Sequence, residues 1–325
     1  MAVVRRNIVT SPDARDAYVE GVRRLKREDS TLKTTAFGIP GPPMPVQTYD
    51  LFVVWHFKAM MTPVPPNGDI NIRNAAHRGP VFLPWHRFML NLLEAHLQRV
   101  LNDSSFGLPY WDWSIDGSLP APETALIWKP DFMGGHGNPV TDGPFAFNAG
   151  DPNSFRIRLE ADPTVNLRQT DRGLRRAFGS GFPTLPNALD VGAAFNTLPA
   201  PLGDPDLATY DSAPWLANSR GFRSRLEGFT GTGLHNQVHR WIGGDMAPAS
   251  SPNDPVFFLH HANVDRLWEG WMNRQGRTYL PTMSEPANIL LGQRIDDPLV
   301  SPLGAGVTPR KTLDNTALFT YDVVP

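Results

Sequence analysis

The chain has no cysteine, which excludes disulfides. It has almost no excess charge: 30 lysines and arginines stand against 32 aspartates and glutamates, −2 in all at pH 7. The two signs are interspersed, which argues against a nucleic-acid partner. No apolar run reaches the roughly 20 residues that a membrane span needs, so no membrane partner is expected. The first residues, Met1 to Asn7, lack the apolar core of a signal peptide, and a cytoplasmic location is the expectation, export with a partner not being excluded. No segment repeats at a fixed period. What is abundant is proline, 33 residues, and glycine, 28, a usage that fits a helical core wrapped in irregular loops.

Histidine is where the information lies. His235-Asn236-Gln237-Val238-His239 spaces two imidazoles four apart, one helical turn, so both rings can reach one point. The Glu that zinc proteases carry beside the first His of such a pair is Asn236 here, which removes that reading. A second helix beginning at Asp254-Pro255 carries His260 and His261. A matching trio lies in the N-terminal half. His56 sits on an apolar segment from Thr48 to Met61 that stops before Pro63, Pro65 and Pro66. His77 precedes a helix that Pro84 helps to start and His86 opens, with Trp85, Phe88, Met89, Leu92, Leu93, Leu97 and Val100 at helical spacing. Two trios on helices and short loops describe a binuclear metal site in a helix bundle. No Glu-x-x-His pair of the di-iron type accompanies them, and imidazole ligands leave copper and zinc both open.

The trios lie in opposite halves of the sequence and must meet, so residues 1–325 are expected to form one catalytic domain, although the length could hold two. The stretch from about Pro120 to Pro214 reads as a loop-rich insertion. Ser11-Pro12-Asp13 starts a helix reaching about Arg27, Gly243-Gly244 stops the helix of His239, and Gly276 ends that of His261. Short strands are expected in the last fifty residues.

The segment His77-x4-Phe82-Leu83-x-Trp85-His86-Arg87-x2-Leu90-x3-Glu94 resembles the first copper-site signature of the tyrosinase family, and Asp254-Pro255-x-Phe257-Phe258-x2-His261-x3-Asp265 resembles the second. Leu108-Pro109-Tyr110-Trp111-Asp112-Trp113 is similar to the family's segment between the two sites, and Phe319-Thr320-Tyr321 to the aromatic motif that closes its core. The resemblance spans nearly the whole chain. It implies a mainly α fold, a four-helix bundle housing a dicopper centre, wrapped by long loops with a few short β-strands. It implies two copper ions, CuA on His56, His77 and His86 and CuB on His235, His239 and His261, and oxidation of phenols and catechols to o-quinones with dioxygen. His260 and His261 point about 100° apart on a helix, so only one is expected to face CuB; the family pattern selects His261 and places Asp265 to orient that part of the site.

Glu227 and Asn236 occupy the places of the family residues proposed to hold a water that deprotonates a monophenol. Their presence makes o-hydroxylation of monophenols the expectation. The alternatives are a catechol or o-aminophenol oxidase without that activity, and a haemocyanin-like oxygen carrier. Arg240 is a candidate for a substrate carboxylate. The loop Met246–Pro252, with Pro248 and Ala249 as candidate substrate contacts, is expected to overhang CuB and leave an open mouth. His96 and His136 read as structural and loop residues. Without cysteine there is no thioether to tether His77, which resembles the bacterial members and leaves packing and hydrogen bonds to hold it. Only four residues follow Tyr321, so no C-terminal plug and no proteolytic activation are expected. A copper-loading partner protein is compatible with the resemblance, as is a monomer or a homodimer.

Overall fold

The computed structural model describes residues 2–195, 205–211, 219–229, 233–301 and 306–325. Strand β1 (Val3–Arg5) is followed by helix α1 (Pro12–Leu25), which has Pro at its start and Asp13 in its first turn, where a missing N–H is harmless and a negative charge favourable. β2 (Asp29–Lys33) and β3 (Pro45–Gln47) make an antiparallel pair. β3 runs directly into α2 (Thr48–Met60), ten of whose residues are buried, as expected of a helix that is apolar on every side. The loop carrying His77 leads to α3 (Phe82–Leu101), which ends on Asn102 in the left-handed conformation.

One turn of helix, α4 (Trp113–Asp116), opens the long connection between the halves. The connection is less irregular than its sequence suggests. It holds an antiparallel hairpin, β4 (Ile157–Ala161) with β5 (Leu167–Arg172), and α5 (Ala188–Ala194), closed by a reciprocal Asn187/Asp190 capping box. Residues 196–204 and 212–214 of the insertion lie outside the described residues. Then come α6 (Phe222–Glu227), α7 (Leu234–Ile242) and α8 (Val256–Gln275), the last ending at Gly276. α9 (Ala287–Leu290) and α10 (Pro309–Thr312) are single turns. Among the described residues the expected C-terminal strands reduce to one, β6 (Phe319–Tyr321), which pairs in parallel with β1 and joins the two ends of the described chain.

α2, α3, α7 and α8 form the four-helix bundle, α3 and α7 each packing on α8 and α2 meeting α3 through Trp55 on Trp85 and α8 through Phe52 on Phe258, with α1 packed on α3. The main core runs from Val3 to Tyr321 and contains Trp55, Trp85, Trp111, Trp113, Trp241, Trp268 and Trp271, each at most 2% exposed. Leucine is its commonest residue, but the Trp and Phe rings bury the largest apolar area per residue. A smaller cluster, with Ile39, Val54, Phe57 and Leu159, seals the outer side of α2 under the β4–β5 hairpin. No helix among the described residues is long and apolar enough to cross a membrane.

Candidate metal centre

α2 brings His56, the following loop His77, and α3 His86; α7 brings His235 and His239, and α8 His260 and His261. The two groups lie against each other, the rings of His86 and His261 stacking at 4.1 Å with 8° between planes. Phe257 is wedged between them, its ring 4.2 Å from that of His261 and 5.0 Å from that of His56.

Hydrogen bonds fix which nitrogen faces inward. Nδ1 of His56 lies 2.7 Å from the carbonyl of Ala249, Nδ1 of His86 2.8 Å from that of Phe82, and Nδ1 of His239 2.7 Å from that of Met246. A carbonyl oxygen only accepts, so each Nδ1 is the donor and each Nε2 keeps a bare lone pair. His235 follows suit, its Nδ1 lying 3.0 Å from Oδ1 of Asn236 and 3.3 Å from the carbonyl of Glu227. Inside, the Nε2 atoms of His56 and His86 are buried with no hydrogen-bond partner. Nε2 of His261 lies 3.3 Å from Nε2 of His235 and 3.4 Å from that of His239. Metal–imidazole bonds of roughly 2.0–2.1 Å at tetrahedral angles put ligand nitrogens about that far apart.

Burial is the largest cause holding all of these rings neutral. It takes His56 down to about 3 and His239 to about 4, and with help from neighbouring imidazoles puts His77, His86, His235 and His261 well below the ordinary value. Neutral imidazole is the ligating form. Orphaned inward lone pairs, neutral rings and ligand atoms within 4.8 Å in each group fit two metal ions bound by nitrogen alone.

Two expectations about these histidines need correction, and the hold expected on His77 takes a particular form. His260 does not turn away; its ring stacks on His235 at 5.1 Å, and one of its nitrogens falls in the same group as the other three. Adjacent residues do diverge on α8, but α7 lies across both directions. Asp265 does not orient His261 directly, making no hydrogen bond to its Nδ1, which has no partner. It faces α3 and β6 instead, accepting from Arg87, Arg5 and Tyr321. His77 is held through the backbone on either side of it rather than through its ring. Its own N–H donates to Asn74 Oδ1 at 2.8 Å, that of Arg78 to Glu227 Oε1 at 2.6 Å, and its Nδ1 is unpartnered.

A cavity of about 650 Å³ opens over both trios, walled by His56, His77, His235 and His239 together with Glu227, Asn236 and Arg240. Met246, Ala247, Pro248 and Ser251 form one side, as expected of the overhanging loop. Ala249 is not on the wall. The turn through Pro248 and Ser251 sends its side chain into the smaller apolar cluster and its carbonyl to His56. Burial pushes the Glu227 carboxyl up to about 7, against the pull of the Arg223 guanidinium and the Arg78 N–H. Arg223 also pairs with Asp211, so this carboxylate is part of a buried chain of charge. Arg223 went unread in the sequence, although it stands one helical turn before Glu227, a spacing that signals a pair. The Arg240 guanidinium lies over the ring of Phe182 at 5.4 Å and pairs with no carboxylate among the described residues. His96, half-buried, packs edge-on against Phe52, and exposed His136 rests on Phe178; neither reaches the cavity.

Fold and site together define a helix-bundle protein with two facing all-imidazole clusters. The family model described as the common central domain of tyrosinase matches residues 46–274. The chain is 41% identical over 280 residues to a tyrosinase of Streptomyces antibioticus, covering 85% of this chain and 89% of that one. It is 38% identical over 327 residues to a tyrosinase of Streptomyces glaucescens, covering 98% of each. In fold it is similar to a polyphenol oxidase (mutant G292N) of Thermothelomyces thermophila, with a TM-score of 0.66 at 23% identity over 98% of this chain and 88% of that one. The chain belongs to the tyrosinase family of type-3 copper phenol oxidases, whose enzymes bind a dicopper centre.

Proposed function

We propose that one copper ion is held by His56, His77 and His86 and the other by His235, His239 and His261, and that the protein hydroxylates monophenols as well as oxidising o-diphenols to o-quinones. The observation that carries the second part is the meeting of Glu227 and Asn236 on the cavity wall beside His235. When bound, the copper pair supplies the activation of dioxygen and accepts the electrons of the phenol.

What the chain adds is shape and a path for a proton. A monophenol must shed a proton whose free pKa is about 10. Asn236 accepts at Oδ1 from His235 Nδ1, which leaves its NH2 group to hold a water against the Glu227 carboxylate. That water is the acceptor for the phenolic proton. The wall of Met60, Phe182, Phe229 and Pro248 offers the ring an apolar surface, and Arg240, paired with no carboxylate among the described residues, suits phenols bearing a carboxylate. The open cavity speaks against a carrier with a blocked site.

A catechol-only oxidase is the second reading. It is favoured by one fact: both Glu227 oxygens already accept, from the Arg78 N–H and from Arg223 Nη1 at 2.9 Å. Replacing Glu227 by Gln separates the two. Loss of a proton acceptor lowers monophenol turnover by about 10²-fold or more with catechol turnover changed far less; equal losses on both substrates contradict the assignment.

A further inference from the structure

His260 is the histidine that the site, as described so far, does not use. It is fully buried on α8, where the backbone of His235 is the group that faces its ring, but neither ring nitrogen closes a hydrogen bond of ordinary geometry. Leaving a buried polar group without a partner costs about 1–3 kcal/mol, and an apolar side chain would fill the same space without that cost. The ring is not merely packed in the core. It stacks on His235, meets His239 edge-on at 5.0 Å and lies 5.0 Å from His261, with Trp113 behind it at 6.3 Å. One nitrogen from each of His235, His239, His260 and His261 lies within 4.8 Å of the others. Two imidazoles on opposite sides of a single ion span roughly 4.1 Å at ordinary bond lengths, so a side-chain rotation brings His260 into reach.

Within the trio, the anchoring is unequal. His235 and His239 are each fixed by a hydrogen bond from Nδ1, whereas Nδ1 of His261 has none. His261 is therefore the ligand with the least hydrogen-bond anchoring, and its neighbour on the same turn of α8 is an imidazole whose nitrogens close no hydrogen bond of ordinary geometry.

We propose that His260 is a reserve ligand for the second metal ion: with His235 and His239 holding the ion, His260 takes it up when His261 lets go. The exchange is a ligand substitution with no change of oxidation state. One neutral imidazole replaces another, and no proton leaves the ion's surroundings. The proposal rests on the copper reading of the trios, and the test keeps the two apart.

Copper bound per chain is measured after dialysis against a moderate chelator for the wild type, His261→Ala and the double variant His260→Ala/His261→Ala, with far-UV circular dichroism to confirm folding. The wild type retaining fewer than two ions overturns the copper reading itself. With two in the wild type, the proposal expects two in His261→Ala and one in the double variant; one ion in both variants overturns it. Should His261→Ala fail to fold, transfer of copper to a chelator is timed in His260→Leu with the trio intact. Loss of the second ion at least about tenfold faster than in the wild type is expected, and an unchanged rate overturns the proposal.

Discussion

The Nε of Arg87, one residue after His86, donates to Oδ1 of Asp265, four residues after His261, at 2.5 Å. Both side chains are buried, and Arg87 also pairs with Glu269 of α8 at 2.7 Å, so Arg87 with its two carboxylates helps to set α3 and α8 in register and with them the stacked rings of His86 and His261. Arg5 reaches the other Asp265 oxygen and Glu94, and Tyr321 donates to Asp265 at 2.6 Å, which ties the β1–β6 pair to the same knot. Removing Asp265 strips two buried guanidiniums, Arg87 and Arg5, of one carboxylate each and leaves them only Glu269 and Glu94. Asp265→Ala is therefore expected to lower the unfolding free energy of the metal-free protein by about 3–5 kcal/mol, read from urea denaturation. A loss below about 1 kcal/mol contradicts this account of the helix register.

Metal stoichiometry tests which histidines matter. His56→Ala and His239→Ala are each expected to lose one of two bound copper ions, whereas His96→Ala and His136→Ala keep both. Metal analysis of dialysed protein reads this directly. Retention of both ions by His239→Ala speaks against the trio of α7 and α8.

Gly244 supports the site from outside. Its φ is +52°, and a Cβ there would stand 2.2 Å from the carbonyl oxygen of Arg175, backbone that cannot step aside. The turn it begins presents the Met246 carbonyl to His239. Gly244→Ala is expected to cost about 1–3 kcal/mol and to loosen copper at the second site. A variant that melts with the wild type and keeps its copper contradicts this.

Arg240 predicts a charge preference. Losing a charge-assisted contact of about 1.5–3 kcal/mol should raise KM for a phenol with a carboxylate tail by roughly 10- to 100-fold in Arg240→Leu. A phenol with an amine tail should gain or stay level. Steady-state kinetics on the two substrates decide it, and parallel changes contradict the contact.

The Arg99 guanidinium, bonded to Glu28, holds that carboxyl down at about 2. A depressed carboxyl pKa stabilises the fold above its ordinary value, near 4.5, and that contribution fades as the pH falls from there through about 2. Arg99→Gln should therefore unfold more readily than the wild type at neutral pH, with the gap narrowing below about pH 4.5. The pair is partly exposed, so the effect is small. A gap that widens in acid is the contrary result.

Much of this was legible because helices write themselves into sequence. The spacing of His235 and His239, the apolar run around His56, and Pro and Gly at helix ends located the bundle to within a residue or two. The β4–β5 hairpin escaped because Leu167–Arg172 is polar and half-exposed, giving no apolar alternation to detect. Asp265 was misread because one-turn spacing on a helix says which side chains share a face but not which neighbour that face meets. Ala249 went astray because a loop's turn decides whether a side chain or its carbonyl looks at the metal. His260 was set aside by a correct helical angle applied without the partner helix that lies across it.

The central claim is a copper pair that turns dioxygen on phenols. Oxygen uptake by the copper-reconstituted protein, on a monophenol and its matching catechol with a zinc-loaded control, tests it most directly. The account predicts uptake on both substrates and none with zinc. Uptake on the catechol alone removes the role given to Glu227 and Asn236, and no uptake on either contradicts the function itself.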